Sequence, residues 1–345
     1  MATNNISTPI SLCSNPTSTG WSKEQVTEEA VNHLLIDKLK EIASSYMQRK
    51  QADSIQDLVS GPWYQNDYAL ALQKHRQTSR LDYLVKKHAF YHGLAPKGFE
   101  QEPNSSAPTK FTPLSYQIQK NLPPTEALAN VKTGQFSFID CGTAIVLARF
   151  ETLREVFGAN RFNAVFSGKG ASPLKLHRDI TKTPLTSLGL VKEEAFDVNA
   201  ISPHLGDTVH FSNIPLYKIK HPNGEATGFN TVCISEFSEK DKKYIAFGLP
   251  AEGKTENEMS DVLINEFNAK PITPSLIFTE DMIKHSKEQT RQQEVEITEA
   301  SGKDVSDFTI NREEFEWVVN NTNHMEAGMH PTVHRFDIEA IRKQL

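Results

Sequence analysis

Cys141 is the residue whose type and setting point most directly to chemistry. The segment 136–140 (FSFID) runs straight into Cys141, Gly142 and Thr143, and the stretch Ala144 to Phe157 carries a helical stripe of Ile145, Ala148, Leu153, Val156 and Phe157. This strand-into-helix context puts the thiol at or near a helix N-terminus. Unpaired backbone N–H groups and the positive dipole end stabilise a thiolate there and can donate to an oxyanion formed beside it. A buried structural thiol is the competing reading, because cysteine is among the most buried residue types. For acyl chemistry the thiol needs a base. His210 is the first candidate, set on an alternating stretch (Asp207 to Phe211) on the face opposite Val209 and Phe211. His177 is the second, with Asp207 as a conceivable orienting carboxylate. Asp140 either tunes the thiol, guards the entrance to the site or simply caps the helix.

The remaining candidates are weaker. Cys233 falls in the middle of an apolar strand and reads as core, and Cys13 lies in a polar tail. Three widely spaced cysteines with no CxxC exclude a disulfide framework and a cysteine zinc site. His330 and His334 have the spacing to bind a metal together with His324, but Pro331 argues against the single helix such a pair requires, so no metal is expected.

Several elements must hold these residues. A helical run from Ser22 through Val31, Leu34, Leu35, Leu39 and Ile42 opens the chain, with further helix expected at 55–59 and 70–92. Pro123 and Pro124 start a short helix that Gly134 ends. Beyond it the period shifts to two, with strands expected at 207–211, 229–234 and 243–247 and turn-formers between the first two. An amphipathic helix over 255–267 begins at a capping box, Thr255 to Glu258. The expected class is α+β, a papain-like arrangement in which a helix-borne cysteine packs on a small antiparallel sheet, flanked by helical extensions. Four regions are read: a disordered tail over 1–20, a helical region over 21–100, a cysteine core over 113–290 and a C-terminal extension over 291–345 containing a Trp317 patch.

Composition limits the partners. The chain has 345 residues, 38% apolar, with 37 Lys and Arg against 43 Asp and Glu for a net charge of −6. No basic stripe with interleaved aromatics appears, so neither nucleic acid nor an anionic membrane is expected as a partner. No run of apolar residues is long enough to span a bilayer. The first twenty residues lack the charged and apolar regions of a secretory signal, so cytoplasmic synthesis is expected, with export by a signal-independent route left open.

Residues 113 to about 290 resemble the bacterial spore-coat transglutaminases, small cysteine enzymes with an NlpC/P60-like papain-type core. The matching stretches are 122–127 (LPPTEA), 134–146 (GQFSFIDCGTAIV), 161–166 (RFNAVF), 180–183 (ITKT), 205–213 (LGDTVHFSN), 228–232 (GFNTV) and 253–258 (GKTENE). The resemblance implies a protein-glutamine γ-glutamyltransferase. A thiolate attacks the carboxamide, ammonia leaves, and a lysine amine resolves the thioester into an isopeptide crosslink; water in place of the amine gives deamidation. It implies a protein substrate with an accessible Gln, an amine acceptor from Lys, and no calcium or organic cofactor. By position Cys141 matches the nucleophile, and Asp140 falls where the family has a glutamate. Two positions depart: the family's glutamate partner falls at Phe229 and its histidine at Leu249, neither of which accepts a proton. The base is then expected to have moved to His210, where the family usually has an aromatic, on a strand joined to that of Phe229 by a hairpin. A deamidase or thiol hydrolase on the same core, and a binding module that has lost its base, remain alternatives.

Overall fold

The computed structural model describes residues 19–50, 98–101, 115–132, 141–167, 172–195, 203–221, 226–235, 241–247, 249–270, 297–322 and 326–345. In chain order the elements are α1 (Glu28–Lys50), β1 (Phe99–Gln101), β2 (Tyr116–Ile118), α2 (Pro124–Lys132), α3 (Cys141–Phe166), β3 (Lys175–Leu176), α4 (Pro184–Ser187) and β4 (Val191–Ala195). There follow β5 (Thr208–Ser212), α5 (Leu216–Lys220), β6 (Gly228–Cys233), β7 (Lys243–Ala246), β8 (Lys254–Thr255), α6 (Glu256–Asn268), α7 (Arg312–Asn321), β9 (Gly328–Phe336) and α8 (Ile338–Gln344). The class is α+β. The expected helices at 55–59 and 70–92 lie outside the described residues, as does the tail to residue 18.

A six-stranded sheet of order β4-β9-β5-β6-β7-β8, antiparallel at every pairing, forms the centre. Side-chain alternation divides it cleanly. Val209, Phe211, Cys233, Val333 and Tyr244 join a buried cluster with Met259, Leu263 and Phe267 of α6 and Phe315 of α7. The opposite face, with Val232, Ile245 and Phe336, packs into a larger core built on α3, α1 and α2. α3 is buried all round over residues 144–153, and its Phe150, Phe162 and Phe166 rings interlock, with centroids 5.3 Å apart for Phe150–Phe166 and 4.8 Å for Phe162–Phe166. Each such buried ring contributes about 1.5–3 kcal/mol.

α1 buries Val31, Leu35, Leu39 and Ile42 at helical spacing and packs on α3. It starts later than the Ser22 expected from sequence. The Trp21 amide bonds Val156 O at 2.8 Å, and Thr27 caps the helix by accepting from Ala30 N at 3.2 Å. Gly158 interrupts α3 with φ 69° and ψ 162°, and a Cβ there would stand 2.5 Å from Gly20 N. A side chain at 158 would meet both backbone strain and a backbone clash. Gly158→Ala is therefore expected to destabilise the fold by about 2 kcal/mol or more, read as a lower urea midpoint.

The segment assigned by sequence to a C-terminal extension supplies β9, which lies between β4 and β5 in the core sheet. Arg335 on β9 makes a bidentate pair with buried Asp207, Nε to Oδ1 at 3.0 Å and Nη2 to Oδ2 at 2.7 Å. Fully buried Arg149 of α3 donates from Nη2 to Thr208 Oγ1 and to His334 O, both at 2.8 Å, and lies over the Phe336 ring. Burial lowers the Arg149 guanidinium to about 10, opposed by the nearby Asp207 charge. The Arg149 contacts lock α3 against the sheet. No helix among the described residues is long and apolar enough to cross a membrane.

Candidate active site

The thiol and the first candidate histidine are brought to one site, with an asparagine between them. Cys141 begins α3 and is half-buried. Antiparallel pairing of β5 with β6 sets His210 directly opposite Asn230, and both face α3. Asn230 Nδ2 donates to Cys141 Sγ at 3.6 Å, and Asn230 Oδ1 meets His210 Nδ1 at 3.1 Å. The second contact requires a proton on Nδ1, because the amide oxygen only accepts. The amide is thereby oriented with its N–H groups toward the sulfur, so the donor from β6 and the N-terminal end of α3 both favour negative charge there.

His210 was expected to pair with Cys141 directly. Instead the ring presents Nδ1 to the amide and lays Nε2 beside Gly228, where an added Cβ would come within 2.5 Å of it. Asn230 thus stands between the imidazole and the sulfur. Burial lowers the His210 pKa; the bond to Asn230 opposes this, while the Arg178 and Lys218 charges reinforce it, so the ring is neutral at pH 7.

His177, the other candidate base, is buried in the segment packed on the first turn of α3, where Arg178 O would lie 2.4 Å from a Cβ on Gly142. Its Nδ1 accepts from Asp179 N at 2.9 Å. Asp207, considered as its orienting carboxylate, is held by Arg335 and by the His204 amide at 2.8 Å. Asp140 and Cys13 lie outside the described residues, as does His324.

Cys233 is buried on the opposite face of β6, within 3.8 Å of Pro203 O and Ser235 O. Phe229 and Leu249 also pack on that far side. The residue of β6 that reaches the thiol is therefore Asn230, one position past Phe229.

Asn230 was missed in the sequence because Asn reads as a turn residue. The available signal was the register: a hairpin that places Phe211 against Phe229 also places His210 against residue 230. His330 and His334 lie on strand β9, where positions four apart are about 13 Å apart and do not converge on an ion. Among the described residues no group of three or more His, Cys, Asp and Glu is placed to hold a metal.

His330 bonds Ser212 Oγ through Nε2 at 2.7 Å and meets the His210 ring edge-on at a centroid distance of 4.6 Å. Burial, then the neighbouring His210, lowers its pKa from 6.5 to about 4. A depressed histidine contributes stability that is full above the unfolded value of 6.5. Below that value the unfolded chain binds protons the folded chain refuses, and the contribution is lost as pH falls toward about 4. His177, His221 and His334 are lowered in the same direction, again chiefly by burial. The melting temperature is expected to fall between pH 7 and pH 4.5, with a shallower slope for His330→Phe. Equal slopes for the two proteins would contradict this assignment.

No protein-family model and no curated protein matches the chain. Among solved structures, a transglutaminase from Geobacillus stearothermophilus (without C-terminal extension) is similar to it, 13% identical with a TM-score of 0.39, over 81% of this chain and 98% of that one.

Proposed function

We propose that the chain is a cysteine-dependent acyltransferase acting on the carboxamide of a protein-bound glutamine, a transglutaminase-type reaction on an NlpC/P60-like papain-type core. The observation that carries this reading is the thiol at the start of α3, held by an amide that His210 orients. The Cys141 thiol loses its proton to water and the thiolate attacks the carboxamide carbon. Backbone N–H groups at the helix start receive the oxyanion. The C–N bond breaks, ammonia departs with a proton returned from water, and a γ-glutamyl thioester remains on Cys141. A lysine amine then displaces the sulfur to form an isopeptide bond. Displacement by water would instead yield glutamate.

One observation favours a second reading, a binding module. The group bonded to the sulfur from β6 is a carboxamide, which cannot accept the thiol proton. Incubation with casein and a fluorescent primary amine, with ammonia followed in parallel, separates the cases. Incorporation of the amine supports transglutamination, and ammonia without incorporation supports deamidation. Absence of both across several glutamine-rich proteins would sink the enzyme reading and leave the binding module.

A further inference from the structure

His330 reaches the candidate site through an irregularity in the sheet. Val333 pairs with Val209 and Met329 with Phe211, so residues 330–332 of β9 stand against the single residue His210. The strand bulges there and turns the His330 ring onto the His210 ring. Pro331 is tolerated because its missing N–H falls within this unpaired stretch, one residue beyond the last β4 partner, Thr332. Ser212, two positions along β5 from His210 and on the same face, fixes the other end of the His330 ring at 2.7 Å.

We propose that His330 is a positioning residue of the candidate site: anchored by Ser212, it packs edge-on against the His210 ring and so holds Nδ1 on the Asn230 amide. The ring then meets the amide at Nδ1, the Gly228 backbone beside Nε2 and, third, the His330 edge. Removing the third lets the imidazole rotate away, and the amide loses the partner that aims its N–H groups at Cys141 Sγ. The C-terminal segment thereby contributes a side chain to the site as well as a strand to the sheet. This inference rests on the reading that Asn230 and His210 act on the thiol, but not on acyl transfer.

The test is the rate of Cys141 alkylation by iodoacetamide at pH 7, read on the Cys141 peptide by mass spectrometry. His330→Ala is expected to slow it about fivefold, the scale of a partly lost hydrogen bond to a charged group. In a His210→Ala background the same change is expected to have no further effect, because the two residues act as one unit. His330→Phe keeps the ring edge and is expected to restore the rate to within about twofold of the parent. If His330→Ala lacks a cooperative melt, Ser212→Ala, which only frees the ring, runs the same cycle with a loss of about twofold. An unchanged rate in the first variant, or an equal factor in both backgrounds, overturns the proposal. A failed amine-incorporation assay with an intact cycle removes the acyl-transfer reading alone.

Discussion

Cys141→Ala is expected to reduce amine incorporation to background, a loss of about a thousandfold or more, with the melting temperature little changed. Among the described residues no other cysteine is placed to take over its part. Cys233 is buried on the far face of the sheet, and Ser212, on the near face, is bonded to His330. Asn230→Leu is the sharper companion. Leucine keeps the branched shape, with larger terminal groups, but removes both the donor at 3.6 Å from the sulfur and the acceptor at 3.1 Å from His210 Nδ1. Removing one aimed donor from a site of developing charge costs about 10²–10³ in rate, and since the helix N-terminus remains, a loss of about 10–100-fold is expected here. The His210 Nδ1 proton is also left inside the protein without its partner, adding about 1–3 kcal/mol of destabilisation. Full incorporation and full alkylation rates in Asn230→Leu would show that the amide is scaffolding, and the site would then have to be rebuilt around the helix end alone.

Deleting residues 326–345 is expected to abolish cooperative folding, although the deletion lies well outside the cysteine core read from sequence. β9 pairs with β4 along five positions and with β5 on its other side, so its loss opens two ladders in the middle of the sheet. Val333, Phe336 and Ile341 leave the core with it, at about 1.5–3 kcal/mol each. Asp207 loses Arg335, and Arg149 loses His334 O and the Phe336 ring. Breaking a buried ion pair from one side costs about 3–5 kcal/mol because the remaining charge stays buried. Together these losses are of the same size as the 5–15 kcal/mol, roughly, that holds a typical domain folded, before the two opened ladders are counted. The expected result is a chain with neither near-ultraviolet dichroism nor a thermal transition. A sharp melt in the truncated chain would mean that β9 is an accessory strand.

Much of this protein was determined locally, and the sequence shows those parts. The Thr255 to Glu258 capping box forms as expected and starts α6, because its hydrogen bonds join residues three apart. β5, β6 and β7 fall within a residue or two of the alternating stretches, and Cys141 opens a helix whose apolar stripe was visible. The placement of His210 on the face away from Val209 and Phe211 follows from the two-residue period alone.

Tertiary structure decided the partners. Asn230 is indistinguishable from a turn residue until the β5–β6 register sets it opposite His210 and α3 lays Cys141 Sγ beside it. β9 carries a proline and few core residues, so its sequence does not read as a central strand. It becomes one because β4 and β5, more than a hundred residues earlier, offer unpaired edges that only it fills. The same long-range pairing brings His330 to His210 and Arg335 to Asp207. Periodicity and capping are written over three or four residues, whereas these contacts depend on which strand closes which gap, and that is settled by the burial of the whole sheet between α3 and α6.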